Sequence, residues 1–356
     1  MDEATLEAAI QKTLRSERLE PAVKFLWHAG EPLTAGIGFY KHALELIKKH
    51  NIHNRRILNS VQTNATLINE EWCQFFTEHS FSVGVSVDGP AFLHDLHRRD
   101  WGNRGTHHRV MRGVELLKRH GLGLHAIAVL SRESLQYPDE IFGFFVEHGF
   151  ETVGFNVEEI EGANAASTLG RPTGAKVSPE TVASYHAFMA RLFDLWSESR
   201  GRIKIRELLS LSQEINDLLR GRLRFRVPDE VVGLRNLVIA RDGSITTNSP
   251  ELAGGLPEDP RAFVIGNIRE IADIDEVLAN PNYIRIQHDI QLGIQSCARE
   301  CKYFPLCGGG FCSNKVYENG TFASTETVSC ILHQQTLASV VIEKLRGTSP
   351  QQDRVT

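Results

Sequence analysis

The chain has 356 residues, 41% of them hydrophobic and 23% charged, with a formal net charge of -5. That length exceeds one ordinary small domain and fits a large barrel plus a smaller module around a sizeable core. The acidic balance argues against a nucleic-acid-wrapping protein, no apolar run reaches the ~20 residues of a membrane span, and MDEATLEAAIQK lacks the basic start and apolar core of a signal peptide, so a cytoplasmic protein is expected.

In chain order, residues 23–27 (VKFLW) predict a first strand, and 38–49 show helical spacing of apolar positions. Residues 57–61 predict a second strand, ending in Gln62, Thr63 and Asn64, and Asn69 is placed to cap the helix EEWCQFFTEH. Residues 82–87 predict a third strand, closed by Asp88, Gly89 and Pro90. The helix VMRGVELLKRH has Gly121 just past its end, and HAIAVL is a fourth strand. Pro138 opens the helix DEIFGFFVEH, Gly149 ends it, and TVGFNV is a fifth strand.

Strand and helix alternating at about 30 residues per unit is the mark of βαβ units in a parallel α/β fold. The polar residues gather just after the strands, at the carboxyl edge where such sheets hold ligands. Residues 160–177 read as a linker or lid rich in Gly, Ala, Ser and Thr. Helices follow at 178–198 and 203–220, then a hairpin at 236–247 turning on Asp242 and Gly243. A closing helix is expected over 333–346. The expected division is a barrel at 1–177, a helical linker at 178–225, a cysteine-rich domain at 226–346 and a loose tail at 347–356.

Five of the six cysteines fall near the C-terminus, as Cys297-x3-Cys301-x5-Cys307-x4-Cys312-x17-Cys330. In a reducing cytosol such a cluster reads as a metal site rather than a disulfide framework. Iron-sulfur clusters and structural zinc both take four thiolates. The three glycines after Cys307 favour the cluster, since they let the backbone approach a bulky inorganic core. Cys73 reads as a small core residue.

At the first strand end, Gly30 and Glu31 offer backbone groups and a charge to an amino-acid head group; the plainer reading is a turn set by Pro32. At the third, Ser86 and Arg98 can hold a ribose and a carboxylate; the plainer reading is a turn with solvated charges. His94, His97, His107 and His108 lack the paired spacing of a metal site. Glu158, Glu159 and Glu161, past the fifth strand, read as solvated loop carboxylates, with a proton acceptor or peptide contact as the sharper alternative.

With WHAGEP, SVQTNAT, SVDGPAFLHDLHRR, GTHHRVMRGVELL, VGFNVEEIEG and CGGGFCSNKVYENGT in this order, residues 1–346 resemble the radical S-adenosylmethionine (SAM) peptide maturases with a SPASM-type C-terminal domain. The resemblance is to the GrrM/OscB type, which forms cyclophane crosslinks in glycine-rich-repeat peptides. It implies a partial (β/α)6 barrel holding SAM, and SAM contacts at Gly30, Glu31, Gln62, Asn64, Ser86 and Arg98. Ala29 and Ala65 stand where the family has glycine. It further implies one auxiliary [4Fe-4S] cluster on Cys297, Cys301, Cys307 and Cys330, with Cys312 spare or an alternative ligand, because residues 240–265 hold no further cysteines. The implied partners are a precursor peptide and an electron donor such as flavodoxin or ferredoxin; neither nucleic acid nor membrane is expected.

The family's Cys-x3-Cys-x2-Cys loop, which carries the SAM-cleaving cluster after the first barrel strand, has no counterpart before Cys297. The expected reading is therefore a maturase lacking its first strand and that loop. In complete form it would generate a 5′-deoxyadenosyl radical, take a hydrogen from a side chain, join the carbon radical to an aromatic ring and pass an electron to the auxiliary cluster. The rival readings are a non-catalytic cluster- or zinc-bearing protein that binds a peptide or partner, and a TIM-type enzyme with a zinc knuckle.

Overall fold

The computed structural model describes residues 1–162, 164–170, 176–222 and 227–348. The first helix, α1 (Glu3–Arg15), is capped by Asp2, whose carboxylate accepts from the Thr5 amide at 2.8 Å. Strands β1 (Ala22–Trp27), β2 (Arg56–Thr63), β3 (Ser82–Ser86), β4 (His125–Leu130) and β5 (Thr152–Val157) alternate with helices α2 (Gly36–His50), α3 (Glu70–Glu78), α4 (Ala91–His97), α5 (His107–Arg119) and α6 (Pro138–Glu147). All neighbouring strands run parallel, in the order of the chain. This is the expected α/β partial barrel. Asn69 caps α3 as read, and Gly121 and Gly149 sit at φ 68° and 77° past α5 and α6.

The helices cover one face of the sheet. Val23, Phe25 and Trp27 of β1 pack with Leu6, Ile10 and Leu14 of α1 and Ala43, Leu46 and Ile47 of α2. The alternate residues, Lys24 and Leu26, are exposed, as strand periodicity requires. A ring-against-ring cluster of Trp27, Tyr40, Trp72, Phe75 and Phe81 locks α2 and α3 onto the strands.

The expected linker also contributes to the barrel. After α7 (Pro179–Glu198), residues Lys204–Ile205 form β6, parallel to β5. This strand reaches only Thr152 and Val153. Beyond it the free amides of β5 take side-chain acceptors. The Phe155 amide donates to Glu207 Oε2 at 3.0 Å, at the start of α8 (Arg206–Leu219), and the Val157 amide to His333 Nε2 at 3.0 Å. Two side chains thus extend a ladder that the backbone stops short of.

The remaining module begins with the expected hairpin, β7 (Leu237–Ile239) and β8 (Ser244–Thr247), joined by β9 (Gly266–Asn267). Then come α9 (Pro281–Glu300), α10 (Phe304–Cys307), α11 (Cys312–Asn319), a π-helical turn at Cys330–Thr336, and α12 (Leu337–Thr348). Contrary to the expected division, α12 completes the barrel: Leu337, Ala338, Val340 and Val341 are buried in the core that contains β3 to β6 and α7. In return, α1 reaches the module, where Lys12 Nζ donates to the carbonyls of Ile268 and Ile271 and Arg18 pairs with Asp275 at 3.0 Å. The tail from 349 onward and the boundary at 223–226 lie outside the described residues. Among the described residues no helix is long and apolar enough to cross a membrane.

Candidate functional site

The parallel register aligns the carboxyl ends of β1, β2 and β3, pairing Trp27 with Val61, Thr63 with Val85, and Ser86 with Ile127. The loops holding Gly30, Gln62, Asn64, Ser86 and Arg98 therefore lie side by side. Glu31 ties two of them together, since its carboxylate accepts from Leu33 N at 3.0 Å, Thr63 Oγ1 at 2.7 Å and Asn64 N at 2.8 Å. Asn64 Oδ1 is taken up by the amide and hydroxyl of Thr66. Gln62 Nε2 donates to Ser86 Oγ at 2.9 Å, and its amide oxygen fills the space where Gly84 has no side chain. Arg98 forms a two-pronged pair with Asp88, which also accepts from Val129 N at 2.9 Å. All six candidates converge on one edge, but five of these side chains or their loops are already bound to the protein. Gly30 differs. It and Ala29 both have left-handed backbones, at φ 60° and 72°, and among the described residues their exposed peptide groups have no protein partner.

Of the histidines nearby, His94 has a structural role. His94 is fully buried, with Nδ1 facing the Asp88 amide and Nε2 the Thr106 hydroxyl, and burial pushes its pKa down to about 4. Cys73 is likewise buried in α3, among core residues.

Four thiols ring a second site. Cys297 lies near the end of α9, Cys301 caps that helix, Cys307 ends α10 and Cys330 opens the π-helical turn. With Phe304, Phe311 and Lys315 they line a small cavity. Residues 308, 309 and 310 are all glycines at positive φ (65°, 108° and 73°). A Cβ on Gly309 would lie 2.9 Å from Ile294, and one on Gly310 3.6 Å from the Cys307 sulfur. Burial pushes the Cys330 thiol up to about 12 and raises Cys307 as well, with the neighbouring cysteines adding to both shifts. Binding a metal centre would draw these protons off, since cysteine ligates as the thiolate. Cys312 is not part of this ring. It points to the other side of α11, where its thiol donates to the Glu230 carbonyl at 3.3 Å. Among the described residues, no three His, Cys, Asp or Glu side chains converge closely enough to hold a single ion.

The carboxylates past β5 are half-buried and hydrogen-bonded rather than freely solvated, which corrects the plainer sequence reading. Glu159 and Glu161 are half-buried and share a hydrogen bond, and Asn314 of α11 donates to Glu161 at 3.4 Å. Burial raises both; Glu161 reaches about 10 with the charges of Glu159 and Glu251 adding to the effect. Glu230 is pushed up to about 8 for the same reasons. Glu158 has a local role, accepting from the Thr168 amide and hydroxyl at 2.6 and 2.5 Å. The sequence reading missed Glu230, Glu251, Lys315 and His333. Only Lys315 left a signal, as a cation inside the cysteine segment.

A parallel partial barrel open at its strand ends, with four cysteines lining a pocket beside it, defines an α/β protein of the partial-barrel class. The chain belongs to the radical SAM superfamily, whose family model matches residues 2–145. It is 38% identical over 344 residues to protein sll1766 of Synechocystis sp., covering 96% of this chain and 83% of that one. It is 28% identical over 318 residues to the cysteine-type anaerobic sulfatase-maturating enzyme of Clostridium perfringens strain 13, covering 87% and 79%. Its structure is similar to that of anSMEcpe with bound AdoMet, with a TM-score of 0.77 at 25% identity over 98% of this chain and 89% of that one. The same protein with AdoMet and the Cp18Cys peptide gives 0.78 at 24% identity, a likeness of fold. Membership implies SAM and a [4Fe-4S] cluster, and the Clostridium perfringens relative is a maturating enzyme.

Proposed function

We propose that this chain binds SAM at the ends of β1 to β3, holds an auxiliary [4Fe-4S] cluster on Cys297, Cys301, Cys307 and Cys330, and serves the maturation of a precursor peptide. The sequence resemblance makes that peptide a glycine-rich-repeat chain and the product a cyclophane crosslink. The observation that carries the reading is the ring of four thiols around a cavity, with two positive-φ glycines, Gly309 and Gly310, along its wall. Zinc needs its ligands drawn to a point, at about 2.3 Å each. An iron-sulfur core fills a space and takes hydrogen bonds from nearby amides.

The open peptide groups of Ala29 and Gly30 suit the amino-acid end of SAM, and the Gln62–Ser86 pair suits its ribose. Cleaved reductively, SAM supplies a radical that removes a hydrogen atom from an unactivated carbon. Before Cys297 the only cysteine is the buried Cys73, so residues 1–296 hold no three-thiolate set for the cluster that would drive this cleavage. Joining the substrate carbon to an arene then releases one further electron and one proton. A cluster held by Cys297, Cys301, Cys307 and Cys330 would supply the electron acceptor. The proton passes to water at the open barrel mouth, where the raised proton affinity of Glu161 keeps that side chain protonated.

The test begins with anaerobic purification and reconstitution. Iron and sulfide equal to one [4Fe-4S] cluster should bind, be lost in Cys307→Ser and be kept in Cys312→Ser, and SAM should bind by calorimetry. Zinc in place of iron, or no SAM binding, overturns the proposal. In cells expressing the genomic locus with its flanking nucleotides and a glycine-rich-repeat peptide, loss of two hydrogen atoms per crosslink marks the reaction by mass spectrometry. Unchanged peptide mass with iron and SAM bound favours the peptide-binding reading without turnover.

A further inference from the structure

Lys315 is a buried cation placed against a sulfur. It lies on α11, is 4% exposed, and its ammonium is 3.5 Å from Cys297 Sγ on the wall of the four-cysteine cavity. Space for it comes from α9, where a Cβ on Gly293 would lie 3.2 Å from the Lys315 nitrogen. Among the described residues no carboxylate forms an ion pair with it. Lysine is almost never fully buried without a partner, because stripping water from an ammonium costs several kcal/mol. Among the described residues the nearest groups that could carry a counter-charge are the cysteine sulfurs, which as thiolates around a metal centre would neutralise the lysine.

We infer that Lys315 sets the redox potential of the centre held by Cys297, Cys301, Cys307 and Cys330, making it a better electron acceptor. One-electron reduction adds a unit of negative charge to a core already surrounded by four thiolates. A fixed positive charge beside one of those sulfurs stabilises the reduced state more than the oxidised one. Net charge and hydrogen bonds to sulfur are among the factors that move such potentials, and low-dielectric surroundings magnify them. In the proposed reaction the centre takes one electron from the substrate radical as the arene loses its proton, so a raised potential pulls the reaction forward.

The inference rests on the cluster proposed above, and the experiment separates the two. Wild type, Lys315→Met, Lys315→Gln and Lys315→Arg, each as the full chain, are reconstituted anaerobically. Iron and sulfide are counted, and the midpoint potential is read by electron paramagnetic resonance during a dithionite titration. No iron in wild type defeats the cluster reading itself. With iron bound throughout, the neutral variants should be harder to reduce by about tenfold in the one-electron equilibrium, about 59 mV, and Lys315→Arg should restore most of that shift. Equal potentials in wild type and both neutral variants overturn the inference. So does loss of iron from both neutral variants, since the lysine would then be needed to hold the cluster rather than to tune it.

Discussion

The barrel mouth and the cysteine cavity are both binding sites, but they are built differently. At the mouth the polar side chains already hold one another: Glu31 joins two loops, Gln62 bonds Ser86, and Arg98 bonds Asp88. In the cavity the thiols have little: Cys297 receives Lys315, and Cys330 a long contact from Gln335 at 3.6 Å. A site that satisfies its own polar groups keeps its shape before a ligand arrives, which lowers the cost of binding. A ring of thiols with few partners is completed only by a metal centre, and metal binding there becomes part of folding.

The largest expected effect tests that difference. Glu31→Ala removes an anion that accepts three hydrogen bonds and should cost about 3 kcal/mol of stability, in iron-free and iron-loaded protein alike. Cys307→Ser should cost stability only relative to the loaded form. Urea denaturation of each variant with and without iron decides it; a loss in Glu31→Ala confined to the loaded protein would undo the contrast.

His333 joins the two regions, since it sits one helical turn beyond Cys330 and accepts the Val157 amide at the end of β5. His333→Phe leaves that amide buried without an acceptor and should cost about 1–3 kcal/mol. His333→Gln, which offers an oxygen, should recover part of it. If phenylalanine is tolerated without loss, the two regions are not coupled through this bond.

The strands and their edge were legible because alternating apolar runs, Asn69 and the glycines past α5 and α6 are local signals. What stayed hidden was long-range. Nothing in the local pattern of Lys204 and Ile205 shows a two-residue strand, because its partner is fifty residues away. The closing helix was visible, but not that its valines would pack into the barrel. The four cysteines of the ring were legible by spacing, and the exclusion of Cys312 was not, since a cysteine opening a helix gives no hint of the direction its sulfur takes. Glu159 and Glu161 looked solvated because their burial comes from α11, more than 150 residues on.

Those carboxylates and His333 also give stability two opposed pH limits. Burial lowers His333 from 6.5 to about 3, so the unfolded chain gains a proton the folded one refuses, and stability falls as pH drops below 6.5. Burial raises Glu161 from 4.5 to about 10, so the unfolded chain loses a proton the folded one keeps, and stability falls as pH rises above 4.5. Melting temperatures of Glu161→Gln between pH 6.5 and 9 should therefore decline less steeply than those of wild type. An unchanged slope would mean that Glu161 is ionised in the fold.

The smallest effect concerns the two alanines that stand where the resembled family has glycine. Both occupy left-handed backbone, Ala29 at φ 72° and Ala65 at φ 58°. A Cβ there costs about 1–2 kcal/mol, and glycine gives back about 0.4–1 kcal/mol through the freer unfolded chain. Ala29 is exposed, so Ala29→Gly should stabilise by about 0.5–1 kcal/mol. Ala65 is fully buried against Gly113, and its methyl contributes about 0.8 kcal/mol that glycine would forfeit. Ala65→Gly should therefore change stability little. Denaturation of the pair separates strain from packing at the barrel mouth. If Ala29→Gly destabilises instead, the methyl is holding the open peptide groups in their binding shape, and SAM affinity should fall with it.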